Sequence, residues 1–302
     1  MVWLTRLSRF TLLAVLAVAL TLGLAVKVPA QVPALLRPSS LSSQLPEQWG
    51  ENSFSLPRTS GPGAPVNTQG GGTRGPCFKG DKNPVALVPA PQMGETTGIG
   101  ETVAEYPTIF WYMPKISLEE EKAPGIEEEE KAPGIEFVLK VSDKRMPIVY
   151  SAKYALAKSA EGVVGAPGIM SLSLAPSNFP SLSPLEIDKE YYWELTTSCN
   201  YTDSDNSDDF TVDGRLKRVE ADPTLARRIQ QATPQERVAL YAEKRLWNET
   251  LASLIELRRD RPNDQNLADA WGKLLTSVGL DVISKEPLFQ GDRAFNTSSY
   301  SN

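Results

Sequence analysis

"KEYYWELTTSC", residues 189–199, is the stretch on which the reading of this chain turns. In an extended strand, successive side chains point to opposite faces. Tyr191, Trp193, Leu195, Thr197 and Cys199 therefore share one side, and Tyr192, Glu194, Thr196 and Ser198 share the other. The first set is the core face, so Cys199 points where Trp193 points.

Short strand-like runs separated by turn residues surround this one, between about Gly75 and Val219. They are "PVALVP" (84–89), "PTIFWYM" (107–113), "IEFVLKV" (135–141), "MPIVYSAKYAL" (146–156), "GIMSLSLA" (168–175) and "FTVDGRLKRV" (210–219). Seven such runs predict a β-sandwich. The lead-in "PLEIDKEYYWEL" resembles the turn followed by Tyr-x-Trp of immunoglobulin-like and fibronectin-type domains. The cysteine–tryptophan spacing is not that of an antibody domain, so the resemblance extends to architecture only. The expected class is mainly β with α: an immunoglobulin-like β-sandwich over 70–220, followed by a short helical segment over 221–290.

From Asp222 the period turns helical. Asp222-Pro223 is a start signal, and "TPQE" (233–236) is a capping box with Thr233 as N-cap and Glu236 at N3. A second helix carries Trp247, Leu251, Leu254 and Ile255 and ends at "RPND". A third starts near Asp264 and closes on Gly279 with Leu280 behind it. The pair is similar to a fragment of a tetratricopeptide (TPR-like) array, but a free-standing stack needs about three repeats. The helices are expected to pack on the sandwich or on each other; a peptide-binding groove is the alternative. Arg227, Arg228, Arg258, Arg259 and Arg261 read as a solvated face near helix ends.

The remaining segments are connectors. Residues 31–69 are rich in Pro, Ser, Gly and Gln and read as a flexible tether, and 291–302 as a disordered tail. "GGGTRGPC" (70–77) has the glycines of a phosphate loop, but Pro76 and Cys77 stand where Lys and Ser/Thr are needed. It ends the tether and turns the backbone into the sandwich. The tandem "EEEKAPGIE" at 119–127 and 128–136 reads as a duplicated hairpin loop.

Arg6 and Arg9 precede an apolar run from Phe10 to Val26, and Val28 and Ala30 offer small side chains for cleavage between Ala30 and Gln31. Residues 1–30 thus read as a signal peptide; a retained membrane anchor is the alternative. Its removal takes the net charge from −6 to −9, which disfavours nucleic acid. A membrane contact is expected only through an uncleaved signal segment. The absence of histidine excludes Ser-His-Asp and Cys-His catalysis, and two cysteines cannot build a four-cysteine metal site. No cofactor is expected. In an oxidising compartment, Cys77 and Cys199 most simply pair with each other, and two free buried thiols are the alternative. "NYTDSDNSDDF" (200–210) places Asp203, Asp205, Asp208 and Asp209 in one turn, as calcium loops begin. Asp208 replaces the required glycine and Gly214 the required glutamate, so it is not an EF-hand.

The ordered set "GGGTRGPC", "LVP", "PTIFWYMP", "PLEIDKEYYWELTTSCN", "VDGRLKRV", "YAEKRLWNETLASLIELRRDRPND" and "LLTSVGL" resembles the cyanobacterial exported family named domain of unknown function 928. The resemblance spans roughly Gly70 to Leu288 and implies a Gram-negative-type envelope, hence the periplasm. It implies no activity and no catalytic residue. The expected function is a non-enzymatic periplasmic protein with a protein or envelope partner. A small-ligand or calcium module using 203–209 is the first alternative, and a carboxylate-dependent enzyme the second.

A Cys77–Cys199 bridge closes a separation of 122 positions. In the chain-entropy account a loop of that length stabilises the fold by about 4–5 kcal/mol. Peptide mapping of the exported protein without reductant should recover one linked peptide. Two alkylatable thiols would exclude the bridge.

Overall fold

Residues 190–198 form the expected strand, and their exposure alternates at every position. Tyr191, Trp193, Leu195 and Thr197 are buried, and Cys199 lies half-buried against the same core. The structure, a computed structural model, describes residues 45, 54, 78–90, 98–116, 133–160, 162–199, 209–289 and 295–296. All of these fall in one unit, Leu41–Asn302.

The chain begins with strands β1 (Phe78–Lys79), β2 (Val85–Ala86), β3 (Ile99–Thr102), β4 (Thr108–Met113) and β5 (Lys115–Ile116). It continues through β6 (Gly134–Val141), β7 (Ile148–Leu156), β8 (Lys158–Ser159), β9 (Gly162–Val163) and β10 (Gly168–Ser173). Then come β11 (Glu190–Ser198) and β12 (Phe210–Arg218), followed by helices α1 (Pro223–Gln231), α2 (Pro234–Glu243), α3 (Trp247–Asp260) and α4 (Gln265–Ser277). A 3-10 turn at Asp281–Ile283 and strand β13 (Phe295–Asn296) follow.

Six strands form one sheet in the order β13-β7-β6-β11-β12-β3, antiparallel throughout except for the parallel β12–β3 pair. Three form a second, antiparallel sheet in the order β10-β4-β2. Phe137 and Leu139 of β6, Trp193 and Leu195 of β11, and Val212 and Leu216 of β12 meet Trp111 and Met113 of β4 and Met170 and Leu172 of β10 in one core. The period-two alternation of the long strands thus sets one face of the large sheet against the small one.

The small sheet has no wet face. Val85, Leu87, Phe110, Tyr112 and Ile169 point away from the inter-sheet core and pack with Trp247, Leu251, Leu254, Trp271, Leu274 and Leu275 of α3 and α4. The helical segment therefore shares a core with the strands. Arg258 of the expected solvated face lies instead half-buried over the Trp271 ring, 5.2 Å from its centroid. Helices α1 and α2 close a smaller cluster of Leu225, Ala232, Leu240 and Leu246.

Local signals fix the helix ends. The Thr233 hydroxyl accepts from the Glu236 N–H at 3.3 Å, while the Glu236 carboxylate accepts from the Thr233 N–H at 2.7 Å. After α4, Gly279 takes φ 79°, and the Leu280 N–H reaches back to the Leu275 carbonyl at 2.8 Å.

Two expected connectors differ in part. Phe54 and Leu45, inside the stretch read as a tether, both pack against the helical core. Phe54 is buried and meets the Trp247 ring edge-on at 5.0 Å. Within the expected tail, Phe295 and Asn296 pair with Leu156 and Ala155 of β7.

Trp193 lies over Gly214, its partner across the β11–β12 ladder, and a Cβ there would come within 2.5 Å of the ring. Gly214→Ala should therefore destabilise by about 1–3 kcal/mol through overpacking. A Cβ on Gly272, inside α4, would meet nothing within 4 Å. Gly272→Ala should stabilise by roughly 0.5–1 kcal/mol, because alanine loses less backbone entropy in a helix. Urea unfolding of both variants checks the opposite signs.

Candidate functional site

Most of the residues singled out from sequence lie outside the described residues: Ala30, Gln31, Cys77, Asp203, Asp205 and Asp208. Asp209 is half-buried just before β12, and Cys199 sits just past the end of β11. Among the described residues, no group of three or more His, Cys, Asp or Glu could hold a metal ion. No helix among them is long and apolar enough to cross a membrane.

Among the described residues, buried polar chemistry is concentrated at the start of α3. This helix lacks a side-chain cap. Its first three residues instead send their polar groups into both sheets. Trp247 Nε1 donates to the Leu87 carbonyl after β2 at 3.0 Å, and Asn248 Nδ2 donates to the Thr108 carbonyl opening β4 at 3.0 Å. Glu249 Oε1 accepts from the Thr102 hydroxyl at 2.6 Å, the Val103 N–H at 2.9 Å and the Ala104 N–H at 3.2 Å. Those donors lie at the end of β3, in the large sheet. One helical turn thereby binds three strands.

The approach is close enough to demand glycine. A Cβ on Gly100 of β3 would fall 2.7 Å from Asn248 Oδ1. Burial pushes the Glu249 carboxyl above the usual carboxylate range, against the lowering pull of Thr102, Val103 and Ala104. Its second oxygen, Oε2, is buried with no hydrogen-bond partner among the described residues. A displaced carboxyl pKa is a mark of functional sites, but ion-pair and bracing networks produce it as well. Here Oε1 already takes three donors of the chain's own fold, which is the geometry of a brace.

A second cluster ties the chain after the 3-10 turn to the small sheet. Lys82 Nζ donates to Glu286 at 2.6 Å, raising the lysine pKa. Tyr112 is pushed up to about 12 by burial first and by the Glu286 carboxylate second. The outer face of the large sheet is a lattice of mutual pairs. Lys140 bonds Glu194, Arg215 Nε donates to Glu190 at 2.6 Å, and Thr196 and Thr211 hydroxyls meet at 2.7 Å. These pairs satisfy one another across neighbouring strands. None of these three clusters was visible from sequence. A buried Glu in "LWNETL" has no spacing that separates it from a solvated one.

Fold and site together define a class: a β-rich protein of several sheets closed by C-terminal helices, whose buried polar groups brace its own layers. The chain belongs to the family described as Domain of Unknown Function (DUF928), whose model matches residues 69–288. The match takes in every described strand except β13, and all four helices. Neither a curated protein nor a solved structure matches the chain.

Because the Glu249 carboxyl is held above its ordinary value of 4.5, the folded state binds the extra proton. Its contribution is most favourable below that pH and is lost as pH rises towards the folded value. Relative to Glu249→Gln, the wild-type melting temperature should therefore fall as pH rises from about 4 to 7. Glu249→Ala strands three donors and should cost about 3 kcal/mol or more at pH 7. A wild-type-minus-Gln difference that is flat with pH would refute the buried carboxylate.

Proposed function

We propose that this is an exported, periplasmic, non-enzymatic protein that binds another protein or an envelope component through one corner of its large sheet. The observation that carries the reading is where its exposed apolar side chains sit. Of the five exposed large hydrophobics among the described residues, Met146, Ile148, Val149 and Ile187 belong to the β6–β7 hairpin and the lead-in to β11. The two segments adjoin, since the Ser142 N–H bonds the Glu190 carbonyl at 2.9 Å. Ile148 is 62% exposed and Ile187 49%, while the other large apolar side chains among the described residues, Val282 apart, are mostly buried or half-buried. Apolar patches rimmed by polar residues are the usual mark of an interaction surface.

The same reading takes the two facing sheets as an immunoglobulin-like β-sandwich. What supports it is a tyrosine corner: the Tyr191 hydroxyl, at the start of β11, accepts the N–H of Glu186 five residues upstream at 2.9 Å. The TPR-like likeness of the helices finds less support, because α3 and α4 spend their apolar faces on the small sheet. The export signal, the Cys77–Cys199 bridge and the absence of catalysis rest on the residue inventory. The calcium alternative rests on the spacing of Asp203, Asp205, Asp208 and Asp209 alone.

A photo-crosslinker placed at Ile148 in the periplasm of the native host should give a discrete adduct. The same probe at Glu256, exposed on α3, should not. No adduct at Ile148, or the same adducts from both positions, would end this reading.

A further inference from the structure

The β6–β7 hairpin turns through "SDKRMPIV" (142–149), and every residue from Asp143 to Val149 is exposed. Met146, Pro147, Ile148 and Val149 make an unbroken run of exposed apolar residues, which a fold in water keeps only for a function. The ladder shows why the run is not buried. Lys140 pairs with Ile148 and Leu139 with Tyr150, so Val149 is an extra residue. It forms a bulge that interrupts the alternation by which Tyr154 and Leu156 are buried. The turn is held by its own hydrogen bonds. Asp143 Oδ1 accepts the N–H groups of Arg145 at 2.7 Å and Met146 at 2.9 Å, and the Val141 N–H donates to the Pro147 carbonyl at 2.9 Å. Those groups are satisfied inside the turn, which lowers their cost of leaving water.

Charge selects the occupant. Asp143 caps the turn, Glu186 pairs with Lys189 at 2.7 Å, Asp188 with Lys217 at 3.6 Å and Glu190 with Arg215 at 2.5 Å. Lys144 and Arg145 stand beside the apolar run with no ion pair among the described residues. We propose that this hairpin tip docks on an anionic lipid bilayer surface; the inference rests on the functional reading above, whose envelope component it identifies. Met146, Ile148 and Val149 enter the headgroup boundary, while Lys144 and Arg145 keep their charges in the wet layer against lipid phosphates. A specific protein partner engages roughly 20–30 residues a side, whereas the apolar exposure here is one short run with Ile187 beside it. The net charge of −9 left after removal of residues 1–30 opposes approach from afar. Salt confines such fields to about 8 Å, so at contact the bilayer meets the two cations of the tip.

An environment-sensitive fluorescent amino acid at Met146, with a control at Glu256 on α3, tests this on the full chain. Vesicles of equal parts phosphatidylglycerol and phosphatidylcholine should shift the Met146 probe to shorter wavelength and leave the Glu256 probe unchanged. Pure phosphatidylcholine should give a weaker response. Lys144→Gln with Arg145→Gln should raise the lipid concentration needed for the shift about 25-fold, roughly fivefold for each cation lost. Ile148→Ser should raise it about tenfold. These side chains are exposed, so an unchanged melting temperature separates lost docking from lost folding. No shift at Met146, an equal response to neutral vesicles, or a shift at both probes would overturn the lipid assignment. Vesicle binding without a Met146 shift would place the contact elsewhere in the chain and overturn it too. A protein adduct from the Ile148 crosslinker beside a silent Met146 probe would remove the lipid and retain the functional reading; neither adduct nor shift would end both.

Discussion

Strand β4 has no face for water, and the architecture follows from that. Ile109, Trp111 and Met113 enter the core between the sheets, while Phe110 and Tyr112 enter the core under the helices. Fully burying a side chain of this kind is worth roughly 1.5–3 kcal/mol, an upper estimate since unfolded chains already hide some surface. A strand with such residues on both sides needs two covers. The large sheet supplies one and α3 with α4 the other, so the helices complete the β-domain.

The brace at the start of α3 decides how the second cover is seated. Hydrophobic burial would hold the helix near the small sheet, but it is non-directional. Trp247 and Asn248 fix the helix against β2 and β4, and Glu249 fixes it to the end of β3 in the other sheet. The helix gives up its own side-chain cap in doing so. Burying a carboxylate is costly, and its return is a defined register between layers that apolar contact alone leaves loose. Gly100 and Gly214 serve the same closeness, one under Asn248 and the other under Trp193.

Where a local signal and the tertiary outcome coincide, the fold is legible in the chain. The alternation of 190–198, the capping box at Thr233 and the Gly279-Leu280 stop are settled within a few residues of themselves. Strand β3, "IGET", was not legible: it is short and glycine-containing, and it exists through parallel pairing with β12 more than a hundred positions away. Phe54 looked like part of a tether because its composition is that of a linker, yet Trp247 offers it a buried seat. The acidic turn at 203–209 was a conspicuous candidate in the sequence and lies, apart from Asp209, outside the described residues, among which the start of α3 gathers the buried polar groups. Glu249 carries no motif; only the arrival of Thr102, Val103 and Ala104 around it makes it distinctive.

By itself, the sequence determined the long strands, the capped helix ends, the face that 189–199 buries and the chemistries ruled out by the missing histidine. Each of these depends on side-chain type and short-range periodicity, which a linear chain carries explicitly. Only the tertiary structure decided what the second cover is, which carboxylate is buried, and where β3 joins the large sheet. Those outcomes depend on residues far apart in sequence meeting at hydrogen-bond distance, and no local pattern specifies which of many solvated-looking polar residues will be enclosed.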